Sequence, residues 1–113
     1  MKLIMADELK AKIDRGDDFK LVMALGDWAF ALKHIPGSLN IHSEDKAREL
    51  LGAGDEIVVY CSNPSCIASV SAYKQLKALG YEKVSRFAGG LQEWEERGWP
   101  LEGSGVEAPT PAA

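Results

Sequence analysis

The sequence predicts an α/β fold with a mainly parallel central sheet. Two observations carry this expectation. Short β-branched runs alternate along the chain with longer segments of helical spacing, and the helical segments stop at glycines such as Gly16, Gly80 and Gly98. A length of 113 residues suits one domain and leaves no room for two.

Asp7 is placed to cap a first helix with Leu9 and Ile13 on one face, ended by Gly16. Lys20 to Ala24 reads as a buried strand. Asp27 to Leu32 is a short helical turn, and His34-Ile35-Pro36-Gly37 is a turn signal. Leu39-Asn40-Ile41 is a short strand. Ser43 opens a second helix through Leu51, with Glu44 and Asp45 at the favourable end of its dipole. Glu56-Ile57-Val58-Val59-Tyr60 is the strongest strand of the chain. Ser69 to Leu79 is a helix with Val70, Tyr73, Leu76 and Leu79 near helical spacing. Lys83 to Phe87 alternates like a strand, Gly89-Gly90 is a turn, and Leu91 to Arg97 is a last helix. From Gly103 the residues are small and Pro-rich, so the folded domain is expected to span 1–102, with 103–113 a flexible tail.

The formal net charge of −4 disfavours nucleic acid and anionic membranes, which want a basic face. No apolar run is long enough for a signal peptide or a membrane span. The expected compartment is the cytoplasm. There, a local pair such as Cys61 and Cys66 is more often catalytic, redox-active or metal-binding than structural. A zinc site needs more ligands than His34 and His42 add, so neither a metal nor a cofactor is expected.

Cys61 directly follows the best strand. In a parallel sheet, ligands bind beyond the carboxyl ends of the strands. The next helix points its free amides at the loop, which biases a thiol there toward thiolate. The loop Ser62-Asn63-Pro64-Ser65-Cys66-Ile67-Ala68, with Ser69, is mostly of small residues and can curl its amides around an anion.

Three motifs, in order, resemble the rhodanese family. Tyr60-Cys61 after Val58-Val59, then Ser69-Val70-Ser71-Ala72 and Leu79-Gly80-Tyr81, is similar to its active-site half. His34-Ile35-Pro36-Gly37 resembles its conserved turn. Phe87-Ala88-Gly89-Gly90 through Trp94, with Gly98-Trp99-Pro100, resembles its closing helix. The resemblance spans roughly residues 5–102. It implies a central, mainly parallel sheet with helices on both faces, and a persulfide carried on Cys61.

The chain departs from the family pattern at Met23, Leu25 and Ala29, where an Asp-x-Arg pair and a Glu are usual, and at Lys33 in place of a Gly. Its loop is about two residues longer than the ordinary rhodanese loop and carries no Arg or Lys. Polysulfide or a low-molecular-weight persulfide is therefore the expected donor, rather than thiosulfate, and a thiol or protein cysteine the acceptor. The missing Arg also argues against phosphatase-type relatives, which clamp a tetrahedral anion.

The leading reading is sulfur transfer through Cys61. The alternatives are thiol redox work by Cys61 with Cys66, or a non-catalytic binding module. Cys61 is expected to alkylate faster than Cys66. Because Pro64 stiffens the loop, the resting protein is expected to be reduced, with Cys66 outside bonding distance. His34 is expected to be structural and His42 exposed. Trp28, Phe87 and Trp94 are expected in the core, and Glu93, Glu95 and Glu96 on a solvated helix face.

Overall fold

A computed structural model describes residues 1–106 of the chain. Along it run α1 (Ala6–Arg15), β1 (Lys20–Met23), α2 (Asp27–Leu32), β2 (Leu39–Asn40) and α3 (Glu44–Leu50). These are followed by β3 (Ile57–Tyr60), α4 (Ala68–Ala78), β4 (Val84–Phe87) and α5 (Gly90–Glu96). The strands form one sheet in the order β2-β1-β3-β4, every pair parallel. Each strand is followed by a helix long enough to carry the chain back, as a parallel pair requires.

The side-chain alternation of the strands divides the core in two. Leu21, Met23, Val58 and Tyr60 pack with Leu9 of α1 and with Leu91 and Trp94 of α5. Val22, Ile57, Val59 and Val84 pack on the other face with Ala47 of α3 and Leu76 of α4. Helices therefore cover both faces, and all four residues of β3 are buried. Burial on both faces is why that strand reads as a continuous apolar run.

Several expectations are corrected. Asp7 does not cap α1; Met5 holds that position, and Asp7 lies in the first turn, paired with Arg97 at 2.6 Å. Trp28 is not in the core but 79% exposed. The short α2 packs Ala29 and Phe30 inward instead, which turns the neighbouring position outward. β4 forms where a strand was expected, and it is buried along its whole length. Its edge is covered by the N-terminal segment, where the Arg86 amide donates to the Lys2 carbonyl at 2.9 Å and the Ile4 amide to the Arg86 carbonyl at 3.0 Å. The boundary expected at residue 102 falls within a packed stretch: the Ser104 amide donates to Ala31 at 3.0 Å and the Gly105 amide to Leu32 at 2.9 Å. The rest of the expected tail, 107–113, lies outside the described residues.

Other assignments hold. Ser43 caps α3 by accepting the Lys46 amide at 3.2 Å. Gly16 ends α1 at φ 71°. Trp94 is buried edge-on between Phe87 and Trp99 and donates Nε1–H to the Pro100 carbonyl at 2.8 Å. Among the described residues no helix is long and apolar enough to cross a membrane.

Candidate active site

Cys61 stands one residue past β3 and is 1% exposed. It is joined to Cys66 in a disulfide, with the two Cα atoms 6.3 Å apart. That spacing lies within the range a disulfide can bridge. The expectation that Cys66 would sit outside bonding distance is therefore overturned, and the loop sequence gives the reason. Asn63-Pro64-Ser65-Cys66 is a β-turn with Pro at its second position, closed by the Cys66 amide donating to the Asn63 carbonyl at 3.1 Å. The Asn63 side chain accepts the Ser65 amide at 2.9 Å, the local bond that favours Asn at turns. Pro64 thus sets the fold-back that returns Cys66 to Cys61. The amides of Ser65 and Cys66 are occupied by Asn63, so the expected anion cradle is partly used by the loop itself.

The loop is held from the side by α5. The Leu91 amide donates to the Cys61 carbonyl at 3.0 Å and the Gln92 amide to the Ser62 carbonyl at 2.8 Å. Gly90 permits this approach. It has φ 61°, and a Cβ there would lie 2.6 Å from the Cys61 carbonyl oxygen. A side chain at this position would meet backbone, which cannot swing away.

A cation also reaches the loop, from β4. Arg86 is only 8% exposed; its Nε donates to Ser69 Oγ at 2.8 Å and its Nη2 to the Pro64 carbonyl at 3.4 Å. It bridges the start of α4 to the middle of the loop. Lys33, at the position where the family usually has Gly, is paired with Glu95 at 2.7 Å. No local spacing announces the contact: Arg86 lies 17 residues from Ser69 and 22 from Pro64.

The remaining loop residues are spread over different settings. Ser62 and Asn63 are half-buried, Pro64 and Ser65 exposed, and Ile67 is 76% exposed. Ala68 begins α4, one residue earlier than the sequence suggested, and Ser69 is buried under it. His34 is structural, as expected: its Nδ1 lies 2.7 Å from the Phe30 carbonyl and its ring stacks on Phe30. His42 is exposed, with Nε2 3.0 Å from Asp27.

Where the usual acidic and basic network is missing, Met23 is fully buried, with Leu25 and Ala29 packed against the same core. Below Cys61, the Tyr60 hydroxyl accepts the Ile35 amide at 3.0 Å and lies 2.9 Å from Ser38 Oγ. Burial pushes its pKa up to about 12, so it stays a neutral phenol at physiological pH. Tyr60→Phe is expected to strand the buried Ile35 amide and cost about 1–3 kcal/mol. A lowered urea midpoint with an unchanged m-value is the expected readout.

The sequence matches the family described as Rhodanese-like domain over residues 5–97. Among solved structures, a rhodanese-like domain from Anabaena sp. is 27% identical, with a TM-score of 0.84, covering 100% of this chain and 86% of its own. A protein from Bacillus halodurans is 24% identical, with a TM-score of 0.85, covering 92% and 78%. A thiosulfate sulfurtransferase from Pseudomonas aeruginosa, at 18% identity and a TM-score of 0.76, shares the fold over 91% of this chain and 20% of its own. No curated protein matches the sequence.

Proposed function

Because the chain belongs to the rhodanese-like domain family, we propose that it is a sulfurtransferase that carries a sulfane sulfur on Cys61. The observation that carries this reading is the placement of Cys61 at the carboxyl end of β3, on a loop fixed by α5 and Arg86. Such a site can hold a nucleophile while the group bonded to it changes.

The proposed cycle starts from the reduced loop. The Cys61 thiolate attacks the outer sulfur of a hydropersulfide R–S–SH. A Cys61–S–SH persulfide forms, and R–S⁻ leaves. An acceptor thiolate R′–S⁻ then takes the outer sulfur as R′–S–SH and restores the Cys61 thiolate. The acceptor is a small thiol or a protein cysteine, and the setting a reducing, cytoplasmic one. When no acceptor arrives, the Cys66 thiolate attacks the inner sulfur. The Cys61–Cys66 disulfide forms and HS⁻ leaves, with no external oxidant. An incoming thiolate attacks the more exposed Cys66, freeing Cys61 as the leaving thiolate, and a second thiolate then takes the mixed disulfide off Cys66 as a small disulfide, restoring the reduced loop.

The donor follows from the charges. Arg86 is buried and its guanidinium is engaged by Ser69 and Pro64, and Lys33 is engaged by Glu95. A thiosulfate dianion would meet no cation offered at the loop. Polysulfides and low-molecular-weight persulfides are expected to exceed thiosulfate in kcat/KM by about tenfold or more, the cost of one missing charge-assisted contact. Steady-state assays at matched donor concentrations check this, and a preference for thiosulfate would sink it.

The disulfide also favours a second reading, a thiol redox protein working through the Cys61–Cys66 couple. Cys66→Ser separates the two. It is expected to retain transfer, whereas a dithiol redox activity would disappear. If the fold served only as a binding module, Cys61→Ala would leave its activity intact.

A further inference from the structure

A half-open cleft of about 190 Å³ lies between α3 and α4 on the sheet face of Val22, Ile57 and Val59. Its floor is Val22, Ile41 and Leu76, and the room is made by the small residues Ala47 and Ala72. Its inner end reaches the active loop. Ala24 lines the cleft and donates its amide to the Tyr60 carbonyl, beside Cys61, at 3.0 Å. Ala68 lines it two residues after Cys66. Cys61 follows directly on the strand whose Ile57 and Val59 lie on the cleft's face, though it is not itself among the lining residues.

The geometry points to this cleft as the binding site for the organic part of a small aminothiol, the acceptor that collects sulfur from Cys61. The inference rests on the sulfur-transfer reading and names its acceptor class. Size is the first argument: the cleft is smaller than the roughly 300–1,000 Å³ of sites for drug-sized ligands. It suits a body of a few carbons, not a folded partner. Charge is the second. No Lys or Arg is among its lining residues, whereas Glu44 is. Glu44 meets Arg48 through Oε1 at 2.7 Å, and Asp27 lies behind the lining His42. A cationic head is thus favoured over a carboxylate. Hydrogen bonding is the third, since Ser71 and Gln75, one turn apart on α4, offer a hydroxyl and a carboxamide along one wall. In the transfer step the aminothiolate sulfur attacks the outer sulfur of Cys61–S–SH. One S–S bond forms as another breaks, and Cys61 leaves as thiolate.

Two measurements test the inference. In the first, the disulfide form of the full chain is titrated with S-methylcysteamine, which cannot react, and with 3-(methylthio)propionate. Amide NMR shifts are expected to saturate at Ala24, Ala68 and Gln75 with the amine, at millimolar concentrations, and not with the carboxylate. In the second, Cys61 is loaded with inorganic polysulfide and transfer to cysteamine, 3-mercaptopropionate and cyanide is compared at equal nucleophile concentration. Cysteamine is expected to lead 3-mercaptopropionate by about tenfold, and Ser71→Phe, which fills the mouth from an exposed helix position, to erase that lead relative to cyanide. Absence of saturable shifts, or an equal lead in Ser71→Phe, overturns the inference. If the shifts appear but wild-type Cys61 takes up no sulfur, the transfer reading fails, and with it the aminothiol's role as acceptor.

Discussion

Cys61→Ala is expected to lower sulfur transfer by about a thousandfold or more, to the uncatalysed level, because it deletes the only atom proposed to form the covalent intermediate. The fold should survive. Cys61 lies beyond the last residue of β3, and its backbone carbonyl, not its side chain, receives the Leu91 amide. Cys66→Ser is expected to behave oppositely, forming the Cys61 persulfide at an undiminished rate. That persulfide should outlast the wild-type one in the absence of acceptor, because the internal attack that expels HS⁻ is gone. The pair of variants assigns the roles. Loss in both would make the disulfide couple the working unit, and loss in neither would move the chemistry elsewhere. Under reducing conditions Cys61 is expected to alkylate ahead of Cys66, although in the disulfide form it is the more buried of the two.

Gly90→Ala is expected to be the most damaging small substitution outside the cysteines. The position has φ 61°, and the added Cβ would meet the Cys61 carbonyl oxygen at 2.6 Å and Ser62 backbone at 3.0 Å. Left-handed strain and forced overpacking together cost about 2–4 kcal/mol. In a domain of this length that lowers Tm by about 10–25 °C. Relief by moving α5 would break the bonds that Leu91 and Gln92 make to the loop, so transfer is expected to fall even where the protein remains folded. Gly54→Ala is the matched control, since nothing lies within 4 Å of a Cβ there; its melting temperature is expected to stay near that of wild type. Differential scanning calorimetry of both variants decides. A Gly90→Ala protein that melts with wild type would show that α5 does not hold the loop.

Much of this arrangement is legible in the sequence, for physical reasons. The apolar run Ile57 to Tyr60 identifies the central strand because burial on both faces removes any polar alternation. The position of Cys61 follows from that strand's end. What was misread depended on contacts distant in sequence. The full burial of the Lys83 to Phe87 segment was not legible, because its cover comes from Lys2 to Ile4, about 80 residues earlier. Trp28 looked like core because a large aromatic usually is; the six-residue α2 packs only Ala29 and Phe30 against the core. The Cys66 error was of another kind, since its signal was local. Asn followed by Pro opens a turn as readily as it stiffens a loop, and reading Pro64 as the second residue of that turn would have brought the two cysteines together.

Whether Cys61 carries the sulfur is read directly by peptide-mapped mass spectrometry. The chain is first reduced, freed of reductant, and exposed to inorganic polysulfide or glutathione persulfide, with the Cys66→Ser variant treated in parallel. A gain of one sulfur atom is expected on the peptide bearing Cys61 in Cys66→Ser. In wild type a shorter-lived gain is expected, giving way to the Cys61–Cys66 disulfide. A sulfur found on Cys66 in wild type and none on Cys61 in either protein would contradict transfer through Cys61.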